Sequence, residues 1–142
     1  MNIELSNESG LEVNEADIIS VAEFAMTGMG LHADCDLAIS IVDESRMSEL
    51  HEEWMDLKGA TDVLSFPMDE LTPNSPEPGI VGDIVLCPQF AQAQAKNGLD
   101  TELYLLTIHG VLHCLGFDHA QPHDEKAMFE LQESILSKWQ SR

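Results

Sequence analysis

The order of predicted elements is strand, helix, strand, helix, strand, strand and then three helices. This is the signature of an α+β domain: a small mixed four-stranded sheet packed with about five helices. Three observations carry the prediction. Several short segments alternate apolar and polar residues with period two; others repeat apolar residues at helical spacing. A third kind, residues 101–115, is apolar around most of its circumference, as a central buried helix is. At 142 residues the chain is long enough for one domain spanning 1–142 with a sizeable core of its own.

Residues 2–5 alternate and predict a first strand. Asn14, with Asp17 three residues on, predicts a helix start. Ile18, Ile19, Val21, Ala22, Ala25 and Met26 follow at helical spacing, and Gly28-Met29-Gly30 ends the run. Leu37, Ile39 and Ile41 alternate with Ala38, Ser40 and Val42 in a second strand. A short amphipathic helix is expected over 46–54, and Gly59-Ala60 leads into a third strand, 61–67, terminated by Pro67. Residues 68–79 hold Pro73, Pro76 and Pro78, a loop long enough to suggest either a flap or a surface insertion. A fourth strand is expected over 82–86. Pro88 then suits the first turn of a helix running to Asn97-Gly98, and Asp100 is placed to cap the next. Pro122 opens a last helix with Met128, Leu131, Ile135 and Trp139 as its apolar stripe. The helical connection between the second and third strands favours a parallel pair, while strands three and four can pair antiparallel across the loop.

Composition excludes several classes. No apolar run approaches the ~20 residues of a membrane span, and Met-Asn-Ile-Glu-Leu-Ser has no basic and apolar leader pattern. The three cysteines, Cys35, Cys87 and Cys114, are odd in number and far apart, which argues against a disulfide framework and for the reducing cytoplasm. Twenty-six acidic residues against six basic give a formal charge of −20. A field of that sign repels phosphodiesters and offers no basic footprint for DNA or naked RNA.

The chemistry concentrates in Thr-Ile-His-Gly-Val-Leu-His-Cys-Leu-Gly-Phe-Asp-His-Ala, residues 107–120. His109 and His113 are four apart, so a helix stacks them one turn above each other, where two neutral imidazoles can chelate one ion. Gly116 lets the chain leave the helix through the left-handed region, and His119 can return to the same point. Three nitrogens with a fourth position for water is the pattern of a catalytic zinc, one Zn²⁺ per chain on a zincin-like helix. The spacing is that of the metzincin peptidases, but Gly110 stands where those enzymes carry their glutamate base. Cys114 is expected in the core, His123 on the surface, and Asp118 either as a partner for a ligand imidazole or as a turn stabiliser.

These residues resemble the signature of the YbeY family of rRNA-maturation endoribonucleases. His-Gly-Val-Leu-His-Cys-Leu-Gly-Phe-Asp-His carries the resemblance, with Thr61-Asp62-Val63-Leu64-Ser65-Phe66-Pro67 and Gly82-Asp83-Ile84 matching in order and place. The resemblance implies a zinc-dependent, single-strand-specific endoribonuclease acting in 3′-end maturation of small-subunit rRNA and in ribosome quality control. It implies His109, His113 and His119 as the ligands, and rRNA, the small ribosomal subunit or one of its proteins as partners. It departs at one position. Many members carry a phosphate-pairing arginine after an aromatic residue, where this chain has Trp54-Met55. Arg46 and Lys58 are the only basic side chains nearby and are weak substitutes. Two other classes stay open: a non-catalytic zinc-binding factor associated with the ribosome, and a metallopeptidase without its base.

Overall fold

The computed structural model describes residues 1–55 and 61–142. Four strands form one sheet: β1 (Asn2–Asn7), β2 (Asp36–Ile41), β3 (Val63–Pro67) and β4 (Ile80–Leu86). Five helices accompany them: α1 (Glu15–Gly28), α2 (Glu44–Met55), α3 (Pro88–Gln94), α4 (Leu99–Cys114) and α5 (Pro122–Gln140). The α+β class and mixed sheet are as expected.

The strand order is β1-β2-β4-β3, with β1, β2 and β4 parallel and β3 antiparallel to β4. The antiparallel pairing of the third and fourth strands agrees with expectation; the parallel pairing of the second with the third does not, because β4 lies between them. Burial explains the order. β4 presents Val81, Ile84 and Leu86 to the main core and Val85 to a smaller one, and a strand apolar on both faces belongs inside the sheet. β3 has only Leu64 fully buried and ends on Pro67, which suits an edge.

Asn14 caps α1 as its position predicts, its side-chain oxygen accepting from the Asp17 N–H at 3.1 Å. α4 begins two residues earlier than Asp100 suggests. Gly98 is its N-cap residue, and Asp100 and Glu102 lie inside the first turn, where their charge complements the exposed N–H dipoles. α3 stops at Gln94, short of Asn97, because Ala95 is already extended. The loop at 68–79 is neither a free flap nor a bare insertion. The Asp69 carboxylate accepts from the Ile80 N–H at 2.7 Å, and the Asn74 N–H donates to the Met29 carbonyl at 2.9 Å. Asn74 packs so closely on Gly30 (φ +75°) that a side chain there would overlap its amide.

The sheet separates two cores. On one face α1, α4 and α5 bury Ile18, Met26, Ile39, Ile84, Ile108, Leu112 and Met128; on the other α2 covers Val42, Met47, Leu64 and Val85. Two hydrogen bonds and one ring contact lock the first set: the Tyr104 hydroxyl donates to Asp17, the Trp139 indole to Ser20, and Tyr104 meets Trp139 edge-on at 4.9 Å. All three cysteines are free and buried.

Candidate metal centre

α4 is the element on which the centre is built. From residue 102 onward its residues are buried except Glu102, Leu105, His109 and His113. Their 3-4-4 spacing draws one stripe along the helix. Every other face is held in the core, so the two histidines project from a rigid support. Thr107 is tolerated inside because its hydroxyl donates to the Leu103 carbonyl at 2.7 Å.

The end of α4 aims the third histidine. Gly116 (φ +97°) donates to the His113 carbonyl at 3.0 Å, and Phe117 donates to the Leu112 carbonyl at 3.0 Å. This paired pattern is a Schellman cap, which reverses the chain in two residues. His119 then comes back over the helix end, its ring centroid 5.5 Å from that of His109 and 5.1 Å from that of His113, which are themselves 4.6 Å apart.

One ring nitrogen from each of the three lies within 4.8 Å of the others. Bonds of 2.0–2.1 Å at a tetrahedral angle place donor nitrogens ~3.3 Å apart, within reach of small ring rotations. The protonation states also suit a cation. Burial first, then repulsion from His109 and His119, lowers His113 to about 4, against weaker support from Asp118 and the Phe117 backbone. Burial likewise lowers His109, opposed by its bond to Gln132. Neutral imidazoles at neutral pH present lone pairs, and the nearby Asp62 carboxylate favours positive charge at His109. The residues therefore fit a metal ion.

Two surrounding residues escaped the sequence reading. Gln132 on α5 is 7% exposed, and its Oε1 sits 2.8 Å from His109 Nδ1. Phe129, one turn earlier, places its ring 6.2 Å from both His109 and His119 and forms an apolar wall. The predicted stripe of α5 holds, with Met128, Ile135 and Trp139 buried and Leu131 partly buried against the same core, and Gln132 joins it as a buried polar residue. Asp118 accepts from the His119 N–H at 2.7 Å, the turn-stabilising one of its two predicted roles. Cys114 is buried at 1% exposure, and the His123 side chain is 83% exposed. Arg46 lies on the α2 side of the sheet, paired with Glu49 at 3.1 Å, and borders a groove of about 500 Å³ with Leu50, Trp54, Phe66 and Asp83. The structure does not bring it together with the histidines. Lys58 falls outside the described residues.

Gly110 explains the departure from the peptidase spacing. It is buried, and a Cβ there would lie 3.0–3.1 Å from three carbons of Ile84 on β4. Position 110 faces the sheet, not the histidine stripe.

The depressed histidines predict an acid-labile metal-free state. The unfolded chain binds a proton at His113 near pH 6.5, whereas the folded chain does so only near 4. Between these values the unfolded state holds more protons, so stability falls as pH drops through this window. His113 is only partly buried, so its share after solvent screening is about 1–2 kcal/mol. Urea titrations of the metal-free protein at pH 7 and pH 4.5 are expected to show a drop that shrinks in His113→Asn. An equal drop in that variant places the acid sensitivity elsewhere.

Fold and site together define a class: an α+β domain with a three-histidine centre on a buried helix and its following turn. Residues 3–140 match the family described as Endoribonuclease YbeY. A relative of that name from Rhodococcus erythropolis is 54% identical over 148 aligned positions, covering 98% of this chain and 82% of the relative. Another, from Mycolicibacterium smegmatis, is 53% identical and covers 98% and 83%. A Thermotoga maritima protein solved in solution shares the fold, with a TM-score of 0.62, 23% identity and coverage of 98% and 92%. The chain belongs to the YbeY endoribonuclease family.

Proposed function

We propose that this chain is a zinc-dependent, single-strand-specific endoribonuclease of the cytoplasm, acting in 3′-end maturation of small-subunit rRNA and in ribosome quality control. Family membership supports endoribonuclease chemistry. The observation that carries the metal dependence is the convergence of His109, His113 and His119, with burial holding down the basicity of His109 and His113. When bound, the ion supplies Lewis acidity at the phosphoryl group and a source of hydroxide near neutral pH. Imidazole donors suit zinc among several first-row metals. The protein's own part is to hold three imidazole rings in register, wall one side with Phe129, and place Asp62 where it favours positive charge at His109.

Among the described residues the convergent group has three members. That leaves a coordination position for water and favours catalysis over a closed structural site. The peptidase alternative loses support because position 110 is turned into the sheet. No helix among the described residues is long and apolar enough to cross a membrane.

Electrostatics favours RNA presented by a partner. The chain carries 6 basic residues against 26 acidic, and Arg46 and Lys126 sit beside acidic neighbours. Neutralising two phosphates of a single strand gives a slope of roughly −1.4 in log K against log salt. At fixed salt and zinc, cleavage is therefore expected to be poor on naked rRNA and better on small ribosomal subunits, with casein left uncut. Tight, steeply salt-dependent binding to bare RNA refutes the presentation argument. Casein cleavage that is lost on chelation refutes the nuclease reading itself.

A further inference from the structure

The buried amide of Gln132 has no packing rationale. It occupies a position between Met128 and Ile135 on the buried stripe of α5, where an apolar side chain would fill the space without a polar group to satisfy. Its Oε1 lies 2.8 Å from Nδ1 of His109, on a different helix and 23 residues away. The ring cannot use the same nitrogen for a metal and for this bond. Nε2 is therefore the donor left to the metal centre, and it must be free of its proton to serve.

We propose that Gln132 is a positioning residue for the metal centre, its side-chain carbonyl selecting the Nδ1–H tautomer of His109 and so presenting the Nε2 lone pair to the ion. The inference rests on the metal-centre reading above. With the carbonyl toward the ring, Nδ1–H donates and Nε2 is bare. With the amide reversed, its N–H₂ donates to Nδ1, the ring proton moves to Nε2, and the ligand is blocked. In water a free histidine side chain favours the Nε2–H form, the wrong one for this site. Gln132 reverses that preference before any ion arrives and fixes the ring plane. His113 meets the backbone of Phe117, and among the described hydrogen bonds Gln132 is the side chain that orients a ring of the set. Partners of this kind are worth 10–100-fold in metal affinity.

Two readouts test the proposal. Long-range ¹H–¹⁵N spectra of the metal-free wild type report the His109 tautomer directly, and Nδ1–H is expected. Zn²⁺ titration against a chelating competitor then compares wild type, Gln132→Met and Gln132→Glu. Methionine matches the volume without an acceptor and is expected to lose 10–100-fold in affinity and to shift His109 toward Nε2–H. Glutamate restores the acceptor and is expected to bind zinc at least as tightly as wild type. An Nε2–H tautomer in the wild type overturns the proposal, as does undiminished affinity in Gln132→Met. If Gln132→Met does not fold, the wild-type tautomer and the glutamate variant still decide it. A wild type with the Nδ1–H tautomer that takes up no zinc refutes the metal centre instead, leaving the Gln132–His109 contact intact.

Discussion

His113→Ala is expected to leave a folded protein without stoichiometric zinc and with RNA cleavage at background. His113 completes the chelating pair on α4, and its ring is neighbour to both other imidazoles, 4.6 Å from His109 and 5.1 Å from His119 by centroid. Structural zinc sites bind with apparent free energies of about 10–16 kcal/mol. Shared over four ligands, the loss of one costs about 2.5–4 kcal/mol, or ~10²–10³ in affinity. The fold is expected to survive because His113 lies on the one stripe of α4 that is not fully buried. Removing it also relieves the desolvation and mutual repulsion that lower its basicity. Elemental analysis and circular dichroism on the same sample check both halves. Full zinc in the folded variant removes His113 from the centre.

Much of this centre was legible from spacing alone, because its geometry is local. Two histidines four apart on a helix, a glycine for the left-handed turn and a third histidine three residues later need only helical periodicity and backbone sterics. The cap at Asn14 and the alternation of β2 are local in the same sense. Strand order was not legible, because pairing depends on how much of each face is buried, and β4 shows its two-sided burial only once α2 and α4 are both in place. Gln132 was missed on the stripe of α5 for a related reason. Leu131 packs on the core as its apolarity suggests, whereas the burial of Gln132 depends on a partner that sits on another helix. A polar residue at helical spacing between Met128 and Ile135 was the available signal. Asp100 looked like a cap because aspartate is a good one, yet the turn at Gly98 (φ +92°) starts the helix earlier.

Gly110→Glu recreates the metzincin spacing in the sequence and is expected to destroy the fold, not to create a peptidase. Adjacent residues on a helix point about 100° apart, so a side chain at 110 does not share the face of His109. It enters the interface between α4 and β4, where Ile84 leaves 3.0 Å to a Cβ. Alanine alone forces that interface to shift, at a cost of about 1–3 kcal/mol set against a gain of about 1 kcal/mol in helix propensity. Beyond that Cβ, glutamate adds one methylene and a carboxylate against Ile84 in the buried interface. An unpaired buried charge and an overpacked interface together exceed about 4–5 kcal/mol, comparable with the 5–15 kcal/mol that holds a domain of this size. Near-ultraviolet circular dichroism and thermal melts are expected to rank wild type, Gly110→Ala and Gly110→Glu in falling order, with the last lacking fixed tertiary structure. A well-folded Gly110→Glu with an unchanged melting temperature means that position 110 does not face β4. If that folded variant also cleaves casein, the carboxylate has reached the metal, and the distinction between this centre and a metzincin reduces to a single side chain.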